Sequence, residues 1–267
     1  MNEIKRDKIA GAVYGFAIGD AMGATTEFMS DEQIKSTFGK VTDIIGGGWL
    51  GLKAGEVTDD TQMSICVMNA IMTSITDSGF REAVGREFIK WYESNPPDVG
   101  GQCARGIKRL MGGGKLGYDG DARGNGSLMR ALPCALIGNL KWNVIQGDLT
   151  HPNRFCRNAI RAYHNDIVGL VCGRRSFLPH VEKLMDPIGH VINTLNNALY
   201  WANAGSFEDA IIGAVNDGGD ADTIAAVAGS LAGARFGFNA IPKRWIDQLD
   251  RVTKLQLKKF IFSVFSC

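Results

Sequence analysis

Asp217-Gly218-Gly219-Asp220-Ala221-Asp222-Thr223 sets three aspartates at the head of an apolar run in which Ile224, Val227 and Leu231 recur at helical spacing. Asp220 and Asp222 flank a single alanine, so a tight turn there brings two carboxylates and the Thr223 hydroxyl to one point at the positive end of a helix. One aspartate is enough to cap a helix, and three crowded together repel one another unless a cation or solvent offsets the charge. Capping and cation binding are both open on this stretch alone. A second stretch, Val57-Thr58-Asp59-Asp60-Thr61, opens another helical pattern through Met63, Val67, Ala70 and Ile71. Thr58 or Asp60 suits its N-cap, and again the oxygens outnumber what capping uses.

Further candidates are weaker one at a time. Glu27, in Thr25-Thr26-Glu27-Phe28, follows a helix, where an exposed glutamate is ordinary. Asp98 follows Asn95-Pro96-Pro97 and reads most simply as a cap for the helix holding Ile107 and Leu110. Gly124-Asn125-Gly126-Ser127 presents backbone N–H groups and a hydroxyl before a helix, which makes either a phosphate cradle or a good turn. Arg123 and Arg130 supplement that cradle or face solvent. His151 before Pro152 reads as structural, and His151, His164, His180 and His190 form no H-x-x-x-H pair, which argues against zinc.

The elements that must position these groups are helical. Clean alternation is scarce and helical periodicity recurs almost throughout, so an all-α fold with glycine-rich functional loops is expected, as one domain over residues 1–267. Gly11, Gly15, Gly19 and Gly23 repeat beside a stripe of Ile9, Val13, Phe16 and Asp20. A smooth face of this kind costs helix propensity but lets another helix approach closely, so this is the expected central helix. Residues 31–57 read as a mobile glycine-rich loop with a short strand at Val41 to Ile45. Helical patterns follow at Arg81 to Tyr92, after Asn153, at Ile188 to Asn203, at Phe207 to Val215 and from Pro242, and Phe260 to Phe265 reads as a docked tail. Gly112 to Ser127 is the most irregular stretch.

Composition excludes several classes. Lys plus Arg at 29 against Asp plus Glu at 28 leaves a net charge of +1 with no long single-sign run, so no nucleic-acid or acidic-membrane footprint is expected. Six cysteines form no C-x-x-C pair and the N-terminus lacks a signal-peptide core, which points to a reducing, cytoplasmic setting. No apolar run reaches the roughly 18 residues needed to span a bilayer. Nothing demands more than a monomer.

Taken together, Gly19-Asp20-Ala21-Met22-Gly23-Ala24-Thr25-Thr26-Glu27-Phe28, Thr58-Asp59-Asp60-Thr61, Pro97-Asp98-Val99-Gly100, Asn125 to Arg130, Thr150-His151-Pro152 and Gly219-Asp220-Ala221-Asp222-Thr223 resemble the ADP-ribosylglycohydrolase family, most of all its dinitrogenase reductase-activating branch. The match runs in collinear order from about Gly11 to Gly237. The resemblance implies an all-α ADP-ribosylglycohydrolase-like domain with its active-site cleft at helix termini and a centre of two Mg²⁺ or Mn²⁺ ions. It implies removal of ADP-ribose from a modified side chain, in the arginine-directed branch at the N-glycosidic bond to a guanidinium, with an ADP-ribosylated protein as partner and ADP-ribose as product. By the match, Glu27, Thr58, Asp59, Asp60, Asp220, Asp222 and Thr223 fall on metal positions. Asp98 falls near the scissile bond in an acid/base or ribose-opening role, with Glu27, Asp59 and Asp60 as the catalytic carboxylates around it. Gly124, Asn125, Gly126 and Ser127 fall on the pyrophosphate loop, His151 in the ligand pocket and His190 on the substrate-facing side. Two positions depart from the nitrogenase-linked pattern: Gly189-His190-Val191 replaces Gly-Tyr-Val, and Gly101 stands where Asn is expected.

The donor set makes chemical sense without the family. Carboxylate and hydroxyl oxygens with no thiolate or imidazole suit Mg²⁺ or Mn²⁺ over Zn²⁺. Five carboxylates are too many for one cation, whereas two ions about 3.5–4 Å apart leave room for water and the two hydroxyls of a ribose. An oxocarbenium-like state at the anomeric carbon gains from nearby carboxylates. A D-x-D-x-T phosphatase is excluded because Asp217-Gly218-Gly219, not an apolar strand, precedes Asp220. An EF-hand fails because Ala225 and Leu231 fall where Gly and Glu are required. A hydrolase of O-linked, serine-type ADP-ribose and a non-catalytic ADP-ribose-binding relative stay as alternatives.

Overall fold

The computed structural model describes residues 2–114 and 122–266. The expected irregular stretch Gly112 to Ser127 falls partly outside them. Among the described residues the chain is all-α, in the order α1 (Glu3–Gly23), α2 (Asp31–Phe38), α3 (Asp59–Thr73), α4 (Asp77–Glu93), α5 (Gly101–Met111), α6 (Leu132–Leu136), α7 (Leu140–Asp148), α8 (Arg154–Val171), α9 (Val191–Ala202), α10 (Phe207–Asp217), α11 (Ala221–Phe236), α12 (Lys243–Gln248) and α13 (Arg251–Ser266). Side-chain caps start many of them: Ser30 on α2, Thr58 on α3, Thr76 on α4, Asn153 on α8 and Ser206 on α10 each accept a hydrogen bond from a first-turn N–H.

The centre is the antiparallel pair α1 and α11, the most extensively packed pair of helices in the molecule. α11 is small and apolar all round, with Ala221 to Ala234 buried without a break, as befits a helix enclosed on every side. The glycine face of α1 meets it backbone to backbone. A methyl group on Gly15 would stand 2.2 Å from the Gly229 carbonyl oxygen, and one on Gly229 would stand 2.1 Å from the Gly15 oxygen. Because the helices are antiparallel, Gly11 lies against Gly233 while Gly23 lies against Ala221 and Asp222. The seam therefore delivers the C-terminal end of α1 to the N-terminal end of α11. A second apolar cluster, with Phe80, Val84, Phe88, Ile107 and Trp142, supports α3 and α5 from the other side.

Two expectations about residues 31–57 are corrected. Asp31–Phe38 is a helix, started by a reciprocal capping box between Ser30 and Gln33 and anchored by the buried Ile34. Val41 to Ile45 is not a strand: Val41 donates to and accepts from the side-chain amide of Asn216, which takes the place of a partner strand. The tail expected to dock does so as part of α13, with Phe260, Ile261 and Val264 buried. None of the described helices is long and apolar enough to cross a membrane.

Candidate active site

The termini of α1, α3, α5 and α11 converge on a cleft of about 260 Å³ whose lining includes Glu27, Asp59, Asp60, Asp98, Asp220, Asp222 and Thr223. Carboxylate oxygens of Glu27, Asp220 and Asp222 lie within 4.8 Å of one another. A roomier groove of about 590 Å³ beside Trp91 and Asp250 contains none of the predicted site residues.

The capping question is decided by hydrogen bonds. Asp20, fully buried on α1, accepts from the N–H groups of Thr58 and Thr61, each at 3.0 Å, and the Thr58 hydroxyl accepts from the Asp60 N–H at 3.3 Å. The first turn of α3 is thus satisfied from outside the Asp59-Asp60 pair. At α11, Asp220 makes no side-chain cap, and Asp222 Oδ1 accepts only from the adjacent Thr223 N–H at 2.8 Å. Asp60 Oδ2 is buried with no partner at all. Both helix mouths therefore hold carboxylates that capping does not use.

Their electrostatics follow from this crowding. Burial first, then the charges of Asp220, Asp98 and Asp20, push Glu27 up to about 8, although the Trp49 indole N–H donates to its Oε2 at 2.6 Å. Burial raises Asp220 to about 6 against the hydrogen bonds it accepts. Asp59, Asp60 and Asp222 stand well above the ordinary carboxylate range, again through burial first and then through one another's charge. Asp98 is raised by burial too, and its charge in turn raises Asp59, which accepts from the Gly100 N–H at 3.5 Å. Among the described residues no lysine or arginine forms an ion pair with any of these acids.

The glycine loop forms the adjoining wall. Gly124 and Asn125 are joined to Gly189 and His190 by a short bridge, and the Asp220 N–H donates to the Pro187 carbonyl, so residues 187–190 tie this loop to the acidic one. Asn125 Nδ2 donates to Asp220 Oδ2 at 2.5 Å and to Thr194 Oγ1 at 3.0 Å. A methyl group on Gly126 would stand 2.7 Å from Cys103 Sγ and 2.9 Å from the His151 ring, so glycine lets the loop pack directly on both. His151 is buried and held neutral, its pKa pushed well down by burial and then by the Arg130 and Arg105 charges.

Several predicted residues stand elsewhere than expected. Ser127 is fully buried beneath the cleft and outside its lining, because the chain turns inward at Leu128. His190 also lies outside the lining: its Nδ1 accepts from the Ile192 N–H and caps α9, so Gly189 forms the wall instead. Thr58 is occupied in capping, and Asp98 does not cap α5, whose N-cap is Gly100. Arg130 neither faces solvent nor lines the cleft. Fully buried, it donates to Gly126 O at 2.7 Å, Gln146 Oε1 at 2.8 Å and Thr150 Oγ1 at 2.6 Å, and so braces the loop and the residue before His151. Among the cleft and support residues not predicted for the site, Asp20 and Gln102 make polar contacts that hold it together. Asp20 sits in the motif but shows no sign in sequence of partners about forty residues away. Gln102 lines the cleft, accepting from the Gly124 N–H at 3.1 Å while its Nε2 is buried without a partner.

With this geometry in place, comparison with known proteins decides the family. The ADP-ribosylglycohydrolase family model matches residues 1–180 and 173–265. The chain belongs to the ADP-ribosylglycohydrolase family. It is 36% identical over 282 residues to the ADP-ribosyl-[dinitrogen reductase] glycohydrolase of Rhodospirillum rubrum, covering 95% of this chain and 94% of that protein. An ADP-ribosylarginine hydrolase of Pseudomonas putida is 32% identical over 284 residues, covering 91% of this chain and 74% of the relative. A solved structure described as an ADP-ribosylglycohydrolase-related protein complex superposes with a TM-score of 0.82 at 26% identity, covering 97% of this chain and 98% of the other. The all-α architecture is that of the family, and the chain is an ADP-ribosylglycohydrolase-type hydrolase.

Proposed function

We propose that this ADP-ribosylglycohydrolase releases ADP-ribose from mono-ADP-ribosylated arginine, breaking the N-glycosidic bond with two divalent cations, Mg²⁺ or Mn²⁺, in the acidic cleft. The observation that carries the reading is the surplus of buried and half-buried carboxylates: among the described residues Glu27, Asp59, Asp60, Asp220 and Asp222 form no ion pair with a cation, and Asp60 Oδ2 has no hydrogen-bond partner. A purely oxygen donor set fits hard cations that prefer oxygen shells. Glu27, Asp59, Asp60, Asp220, Asp222 and Thr223 would hold them, with Thr58 holding the start of α3 in place. When bound, the ions supply Lewis acidity, a lowered pKa for water and a seat for the ribose diol.

The protein's own groups do the rest. Gly124 to Gly126, with the neutral His151 behind them, offer the open wall on which the diphosphate lies. Asp98 stands beside Asp59 and moves a proton between its carboxyl and the scissile bond. Overall the anomeric carbon–nitrogen bond breaks, the elements of water add across it, and arginine and ADP-ribose leave. The buried carboxylates stabilise positive charge at the anomeric carbon as the bond opens.

Incubation with arginine-linked and serine-linked ADP-ribosyl peptides in the presence of Mn²⁺ tests the reading. Release from the arginine-linked peptide is expected. Release only from the serine-linked peptide overturns the acceptor, and binding of ADP-ribose with no release from either overturns the enzyme.

A further inference from the structure

At the rim of the cleft the chain exposes two aromatic rings that folding alone does not explain. Phe28 is 66% exposed and Trp49 is 51% exposed, with ring centroids 5.5 Å apart at an interplanar angle of 47°. Exposure of this size forgoes the burial that normally recommends such residues. Phe28 also sits at φ 63°, a left-handed conformation uncommon outside glycine and a genuine outlier for a bulky side chain. That conformation is enforced: the Phe28 N–H donates to Gly219 O at 2.6 Å, and the Gly219 N–H donates to Met29 O at 2.9 Å. Trp49 is delivered with similar effort. Gly48 lies so close to α1 that a methyl group there would stand 2.0 Å from the Ala24 oxygen, and Thr25 Oγ1 donates to the Gly46 carbonyl at 3.1 Å. The indole N–H then locks onto Glu27. Strain held in place by surrounding structure next to a site is a sign of use.

The order of groups in the substrate says what the rings face. In ADP-ribosylarginine the sequence is adenosine, diphosphate, ribose, guanidinium. On the proposed reading the diphosphate lies at Gly124 to Gly126 and the ribose at the carboxylates, joined by the Asn125–Asp220 hydrogen bond. The next group outward is the acceptor. Phe28, next in the chain to Glu27, lines the cleft, while Trp49 stands outside its lining and is tied to it through the Glu27 carboxylate and the Phe28 ring. A guanidinium is planar, weakly hydrated and stacks on aromatic faces, and the acids beneath it favour its charge. We infer that Phe28 and Trp49 form the seat for the arginine side chain of the modified protein and select a cationic, planar acceptor. This inference rests on the arginine reading above.

The test compares wild type with Phe28→Leu, which keeps apolar bulk but loses the ring face, and Phe28→Tyr, which keeps it. Kinetics are measured on an arginine-linked ADP-ribosyl peptide with Mn²⁺, and free ADP-ribose binding is measured by calorimetry. The exposed position spares the fold. Phe28→Leu is expected to raise KM for the peptide roughly two- to thirtyfold, the range of one cation–π contact, with the loss falling on KM and not on kcat. Phe28→Tyr restores KM, and the ADP-ribose Kd stays within about twofold in both. An unchanged KM in Phe28→Leu, or an equal weakening of free ADP-ribose, overturns the seat. Failure of the wild type to release ADP-ribose from the arginine-linked peptide overturns the function itself and the seat with it.

Discussion

The seam between α1 and α11 and the acidic cleft at its end are built from adjacent residues and follow opposite rules. Along the seam every group has what it needs: glycines remove side chains, backbones touch, and alanines fill the remainder. At the cleft, a turn or two away, five acids are gathered with no ion pair to a cation among the described residues, and burial and mutual repulsion raise their pKa values. The seam contributes stability and the cleft consumes it. The lesson is that the glycine face is the positioning device: without backbone contact at Gly15 and Gly19, Asp20 and Glu27 would not reach the α3 and α11 mouths together.

The strongest way to sharpen that contrast is to remove charge from the cleft. Asp222→Asn should lower turnover on an arginine-linked peptide by on the order of 10²–10³ or more, since it takes away both a cation ligand and charge stabilisation. The same change should raise the Tm of the metal-free protein, because a repelling buried charge is gone. A fall in both would deny that the cleft is built against stability. Breaking the seam is predicted to do the reverse. Gly15→Ala forces a methyl group against Gly229 and should cost about 1–3 kcal/mol, seen by thermal unfolding as a Tm loss of several degrees.

A pH series separates the regions without mutation. Glu27 is raised to about 8 and Asp220 to about 6 in the folded protein, both above their unfolded values. A carboxyl with a raised folded pKa binds more protons folded than unfolded, so its contribution falls as pH rises from the unfolded pKa through the folded one. Metal-free protein should therefore lose stability from about pH 4.5 to about pH 8 through these groups. Stabilisation by Mn²⁺ should grow over the same window, because protons and cations compete for the same oxygens. Differential scanning fluorimetry with and without Mn²⁺ checks this, and parallel curves would contradict it. The smallest effect belongs to Trp49→Phe. It removes the hydrogen bond that orients Glu27 and opposes its protonation, and Mn²⁺ affinity near neutral pH should weaken about two- to tenfold by calorimetry.

Much of the architecture was legible because it is written in periodicity. The glycine repeat of α1, the stripes of α4 and α8 and the small-residue run of α11 each announce a helix and the face it buries. α2 was hidden because only Ile34 anchors it in a polar, glycine-flanked stretch, and Val41 to Ile45 imitates a strand whose partner is one amide, that of Asn216. At the site, Asp59, Asp60, Asp220 and Asp222 could be named because acids at a helix mouth are conspicuous in sequence, whereas Glu27 and Asp98 were named only through the family resemblance. What could not be read was direction. His190 and Ser127 face away, Arg130 is buried as a brace, and Asp20 does the capping that frees Asp59 and Asp60, since side-chain orientation and long-range partners leave no mark on local spacing.

The central claim is that the uncompensated acids are a cation seat used to cleave an ADP-ribosyl bond. Its most direct test is chromatographic release of ADP-ribose from an arginine-linked ADP-ribosyl peptide by chelator-stripped protein, before and after addition of Mn²⁺. The account predicts no release before addition and multiple turnovers after it. Equal release in both, or binding of ADP-ribose with no release in either, would contradict it.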